Sequence, residues 1–176
     1  MARLEDVLTP DYLDGLEAWS LDGVRARRDE ATEVETALSY VRRMVQGRLD
    51  IVLAEQESRR VGESAGDVAE LVARLPTILG DHVLAPGFGR LPTLIAPGDI
   101  DPPLVSALED ALPAARMSTL AELDDADLEV ASHKLERLER SISSQRRAVF
   151  EVLDRLQNEI VRRYRSGEAS VDSLLP

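Results

Sequence analysis

The sequence contains no cysteine, which removes a disulfide framework, a thiolate zinc site and a cysteine nucleophile, and makes the reducing cytoplasm the default compartment. Aromatic side chains are scarce, with two Phe, three Tyr and one Trp in 176 residues. Lysine is almost missing too, while arginine and glutamate abound, and that mixture reads as long helices. No apolar run approaches the roughly 20 residues needed to span a bilayer. The opening MARLEDVLTPDYL lacks the basic and apolar blocks of a signal peptide, so the expectation is a chain neither exported nor inserted in a membrane. His82 and His133 are the only histidines and stand in no ligand constellation, so no metal is expected. The one glycine-rich run, PGFGRLP, precedes no helix start with lysine and reads as loop. Without a strained nucleophile turn or metal-binding carboxylate and glycine signatures, no enzyme is expected.

Acidic residues outnumber basic ones, 33 to 21. A formal net charge of −12 repels duplex DNA and anionic lipid and favours encounter with a basic protein, so direct DNA binding is not expected. Arginines nonetheless cluster at Arg25, Arg27 and Arg28, at Arg42 and Arg43, and from Arg137 to Arg165, and such patches can hold a small anion.

The pattern divides the chain into five stretches. Residues 1–20 form an N-terminal helical arm, broken near Thr9 and Pro10. Residues 21–62 are a first long coiled-coil helix capped by Asp22, with Val34, Leu38, Val41, Val45, Arg48 and Val52 alternating steps of four and three. Gly47 either weakens that helix or marks a close approach. Residues 63–123 form an insertion of short helices, one over DVAELVARLPTIL and one around Leu104–Leu112, with a Pro/Gly-rich loop. Residues 124–166 are a second long coiled-coil helix, capped by Asp124 or Asp125, with the seam Leu138, Ile142, Gln145, Val149, Val152 and Leu156. Residues 167–176 are a mobile tail. At about 1.5 Å per residue each long helix spans on the order of 60 Å, and only the other can cover it. The expected fold is all-α: a long antiparallel two-helix coiled-coil hairpin with short N-terminal helices and a partly helical, loop-rich middle insertion.

Beside each seam runs a polar stripe. The first is Glu35, Ser39, Arg42, Gln46 and Asp50; the second is Glu139, Ser143, Arg146, Phe150 and Asp154, at the same intervals of four, three, four and four. At 100° per residue each set lies within an arc of roughly 80° and rises on the order of 22 Å, forming one ribbon on a helix face. An antiparallel register that opposes Glu35 with Asp154 also opposes Asp50 with Glu139, and it matches the helix ends. The chemistry suits an anionic guanine ligand. Arginine presents a planar fork to guanine O6 and N7 or to phosphate; carboxylates accept from guanine N1 and N2; serine donates to phosphate oxygens. Arg43 and Arg147 are neighbours of the two central arginines. Ordinary coiled coils also carry such residues as solvated ion pairs, but a repeat in matching intervals favours a ligand site.

The run VETALSYVRRMVQGRLDIV, with Glu, Ser, Arg, Gln and Asp at these intervals, closely resembles the RsiG family, the cyclic di-GMP-dependent anti-sigma factors of sporulating actinobacteria, some of which are called aerial mycelium formation proteins. The likeness covers both long helices and extends to DYLDGLEAWSLDGVRARRDE. It implies that the antiparallel pair holds a dimer of cyclic di-GMP, two molecules per chain, and that the loaded protein sequesters the sporulation sigma factor WhiG. The family pattern maps onto all five residues of the first stripe and onto Glu139, Ser143, Arg146 and Asp154 of the second. Phe150 is the departure, and an aromatic there can stack on or pack beside a base. Two copies in one chain imply a monomer before complex formation. The competing class is a coiled-coil adaptor or structural protein that needs no ligand.

Overall fold

The computed structural model describes residues 3–62 and 100–168. Among these every regular element is helical: α1 (Leu4–Val7), 3-10 helices at Pro10–Leu13 and Leu16–Ala18, α2 (Leu21–Arg60), α3 (Pro102–Ala111), α4 (Ala114–Met117), a 3-10 helix at Leu120–Glu122, and α5 (Asp125–Ser166). The helix expected over DVAELVARLPTIL, the loop PGFGRLP with His82, and the tail from residue 169 lie outside the described residues.

The long helices start and stop for local reasons. Ser20, rather than the expected Asp22, caps α2, because its Oγ accepts the Gly23 amide at 3.1 Å. Asp22 lies within the first turn and pairs with Arg25. Asp124 caps α5 by accepting the Asp127 amide at 2.7 Å. Past the far ends, Gly62 and Gly167 adopt φ of 72° and 77°. That left-handed conformation stops a helix at little cost only where no Cβ is present. Gly47 does not interrupt α2, and a Cβ there would meet open space, so it marks no close approach.

The chain folds as two compact units. The first comprises the described residues 3–39, 100–101 and 143–168; the second comprises 40–62 and 102–142. In the first, α2 and α5 run antiparallel, as the bonds Arg25–Tyr164 and Arg146–Glu35 require. Fully buried side chains recur every seven residues: Val24, Ala31 and Leu38 on α2, Val149 and Leu156 on α5. This is a seam of the 3.5-residue period. The N-terminal arm docks through Val7, Tyr12 and Leu13, all buried. The Tyr12 hydroxyl donates to the Arg27 carbonyl at 3.0 Å, and the Arg27 guanidinium lies 4.9 Å from the Tyr12 ring centroid. Burial, reinforced by the nearby Glu30 carboxylate, pushes the Tyr12 phenol up to about 12, so it remains a donor across the usual pH range.

In the second unit the helices again run antiparallel, joined by Arg42–Glu139 and Arg59–Asp125. Val45 and Val52 face a core with Leu128, Leu135 and Ile142, again at steps of seven. Leu104, Leu108, Leu112, Leu120 and Leu123 complete it. The expected seam position Leu138 is only half-buried, because the period-seven run through Leu135 and Ile142 takes the centre of the interface.

Three arginines tie the short elements to the long helices. Arg48 donates to the Leu108 and Leu112 carbonyls at the end of α3 and pairs with Glu109 at 2.6 Å. Arg59 donates to the carbonyls of Leu120, Ala121 and Leu123. In the first unit Arg163 donates to the carbonyls of Leu16 and Trp19 at 2.9 and 2.6 Å. Each bonds main-chain carbonyls at the ends of short helices, some of them, such as those of Leu16, Leu108 and Leu120, also accepting a backbone amide, and the charge favours a helix C-terminus.

Candidate anion-binding half-sites

The stripe residues project from mid-helix, where backbone hydrogen bonding fixes their spacing and the adjoining seam fixes which way the ribbon turns. Glu35, Ser39, Arg42, Gln46, Asp50, Glu139, Ser143 and Arg146 are all half-buried, whereas Phe150, Asp154, Arg43 and Arg147 are exposed. Arg147 reaches only a helical neighbour, Glu151, at 4.0 Å in solvent. The exposed arginines are therefore peripheral to the ribbons.

In the first unit, Arg146 Nε on α5 donates to Glu35 Oε1 on α2 at 2.8 Å. Ser39 Oγ donates to the same carboxylate oxygen at 2.6 Å. Four residues beyond Arg146, the Phe150 ring lies beneath its guanidinium, 5.0 Å from Cζ to centroid. In the second unit the roles of the helices exchange. Arg42 Nε on α2 donates to Glu139 Oε1 on α5 at 2.9 Å, and Gln46 Nε2 approaches the same oxygen at 3.4 Å. Each unit thus contains one half-site in which the third residue of one stripe bonds the first residue of the other.

This pairing differs from the expected opposition of Glu35 with Asp154 and of Asp50 with Glu139. Carboxylates set against each other repel, while an arginine side chain is long enough to meet a carboxylate two turns away from that opposition. The arginines and glutamates are about one-fifth to one-third exposed, 32% and 18% for Arg146–Glu35 and 32% and 20% for Arg42–Glu139. At that burial an ion pair is shielded from bulk solvent yet remains within reach of a solute.

With this geometry in hand, comparison with known families bears on the N-terminal part of the chain. The family described as RsiG-like matches residues 10–79. Over that segment the chain is similar to that family. The match takes in the N-terminal arm from Pro10 and the whole first stripe from Glu35 to Asp50. The second stripe lies beyond the matched residues, and its relation to the RsiG-like segment rests on its own intervals and on the pairing just described. No curated protein matches the chain significantly. No helix among the described residues is long and apolar enough to cross a membrane.

Sequence reasoning placed Arg48 in the seam without naming its carbonyl partners, and did not single out Arg59 or Arg163 as bonding main-chain carbonyls. A signal was present: Arg59 stands seven residues after Val52 and Arg163 seven after Leu156, in slots where the seam demands an apolar residue. A charge in such a slot implies a buried partner.

Proposed function

We propose that the protein is an anti-sigma factor that binds a cyclic di-GMP dimer on its coiled coil and in the loaded form captures the sporulation sigma factor WhiG in the cytoplasm. The observation that carries this reading is the recurrence of one constellation, an arginine and a glutamate bonded across the helices, at the same stripe positions in both units. A structural ion pair has no reason to recur with its Ser, Asp and amide or aromatic neighbours at identical intervals.

The chemistry follows from exchange of partners. A guanine entering a half-site offers N1 and N2 hydrogens to the glutamate and O6 and N7 or a phosphate to the arginine. Each protein group therefore leaves one charge-assisted bond for another, and neither charge is stranded. Ser39 and Ser143 supply hydroxyl donors, while Asp50 and Asp154 add acceptors at the far ends of the ribbons. The ligand acts on partner capture only through its preference for the binding-competent conformer, since equal affinity for both conformers shifts nothing. Both half-sites come from one chain, so a monomer suffices before the sigma factor joins. The acidic charge of −12 complements a partner whose own task is to bind nucleic acid.

The second reading, a ligand-independent coiled-coil adaptor, is favoured by the fact that both central arginines are already bonded to carboxylates. Calorimetric titration with cyclic di-GMP separates the two. The proposed function predicts about two nucleotides per chain, with binding lost in Arg42→Ala and Arg146→Ala variants whose helicity by circular dichroism is unchanged. Absence of binding, both alone and with the sigma factor present, establishes the adaptor.

A further inference from the structure

Arg146 is held on two sides and open on a third. Its Nε donates to Glu35 Oε1 at 2.8 Å, and its Cζ stands over the Phe150 ring, 5.0 Å from the centroid. Among the described residues neither terminal nitrogen of Arg146 has a hydrogen-bond partner. That fork is the part of an arginine that reads guanine O6 and N7 or grips a phosphate. Phe150 reaches the guanidinium because residues four apart share one helix face. The ring does not fill the seam: Val149 beside it is fully buried, whereas Phe150 is 40% exposed. The equivalent place on the other stripe belongs to Gln46, whose amide approaches Glu139 and so steadies the carboxylate rather than the arginine.

The contact matters most while the ligand enters. In the proposed function, on which this inference rests, guanine N1 and N2 hydrogens draw the Glu35 carboxylate away from Arg146. The guanidinium then loses the bond that fixed its Nε, and an arginine freed in this way regains rotamer entropy that ligand binding must remove. The negative face of an aromatic ring attracts the cation whether or not a carboxylate is also bonded to it. We propose that Phe150 is a positioning residue: it reads no part of the nucleotide, but keeps the Arg146 guanidinium aimed while Glu35 changes partner. The same arginine and glutamate chemistry then meets the cyclic di-GMP dimer here as at Arg42 and Glu139. The departure from glutamine at this place alters what steadies the site and leaves its base-reading groups as they are.

The test is calorimetric titration of the full chain with cyclic di-GMP, comparing the wild type with Phe150→Leu, Phe150→Tyr and chains carrying mono-, di- or trifluorophenylalanine at position 150. Each fluorine withdraws electron density from the ring face and weakens its hold on a cation at nearly constant shape. Phe150→Leu weakens binding about threefold to tenfold, the range open to a partly exposed cation–π contact. The fluorinated chains weaken in order of fluorine count, and Phe150→Tyr, which keeps an electron-rich ring, binds as the wild type. Helicity by circular dichroism, thermal unfolding without ligand and the number of nucleotides bound per chain stay unchanged throughout. The Nε–H nuclear magnetic resonance signal of Arg146, identified by its loss in Arg146→Lys, moves in Phe150→Leu and not in Phe150→Tyr, a shift that a ring acting on the fold alone does not produce. If the wild type binds cyclic di-GMP but Phe150→Leu binds equally well, or if affinity does not follow fluorine count, the role given to Phe150 is overturned and the ligand reading stands. If the wild type does not bind, alone or with the sigma factor present, the proposed function falls and this inference with it.

Discussion

The two units hold the same pair of helices with the same device, an arginine donating to main-chain carbonyls, but they place it differently. In the first unit Arg163 is 5% exposed and shares its bonds with Glu159, itself 8% exposed, so the tie to the N-terminal arm is a buried ion pair with carbonyl partners added. In the second unit Arg48 is also buried, but its carboxylate partner Glu109 reaches solvent, with 43% of its side chain exposed. The lesson is that cost of disruption follows the environment of the partner left behind, rather than the number of bonds broken.

That contrast is broken most severely by Arg163→Ala. It removes a hydrogen bond from each of the Leu16 and Trp19 carbonyls and one cation from a buried carboxylate, and should cost about 3 kcal/mol. Because Trp19 is the only tryptophan and its carbonyl is one of the acceptors, its emission should shift to the red in the folded variant. Arg48→Ala should cost less, about 2 kcal/mol, since Glu109 simply turns to water. Its native emission should match the wild type, and urea unfolding followed by fluorescence and by circular dichroism compares the two variants directly. Equal losses would remove the distinction drawn between the units.

A smaller effect sharpens the description of the first unit through pH. Hydrogen bonds from Arg162, assisted by Arg163 and opposed by burial, hold the Glu159 carboxyl down at about 2, against an ordinary value of 4.5. The folded protein therefore binds the ionised form more strongly than the unfolded chain does. The stability this confers is fully present above pH 4.5 and is lost as pH falls through about 2. Glu159→Gln should be less stable than the wild type at pH 7, and the gap should narrow on acidification to pH 2.5, as urea midpoints at the two pH values will report. A constant gap would mean that Glu159 acts by shape alone.

The smallest expected change is a gain. Gln145 sits in the expected seam of α5, and its Oε1 is buried without a hydrogen-bond partner among the described residues. Gln145→Met keeps the length of the side chain and removes that acceptor, and should raise stability by about 1 kcal/mol. A fall in the melting temperature would show that the amide has a role in the folded state.

Much of this architecture is legible in the residues. Period-seven apolar positions locate both long helices, and the five-residue stripe, repeated, locates both half-sites. The pairing within each half-site is less legible, because sequence register opposes helix positions while hydrogen bonds join side-chain ends, and an arginine displaces its charge well away from its own Cα. The cap at Ser20 is hidden by Asp22, an equally good cap two residues on; which one serves depends on where the preceding 3-10 helix releases the chain. The carbonyl ties are the least legible, since their acceptors belong to the backbone and leave no residue type to read.

That last property bears on how the protein can vary. Leu16, Trp19, Leu108, Leu112, Leu120, Ala121 and Leu123 are bound through oxygens that every amino acid possesses. Their side chains are constrained by packing alone, so these segments can drift among apolar residues while the arginines that grip them cannot. In relatives, the grip should be traceable from three fixed arginines long after the segments they hold have ceased to look alike.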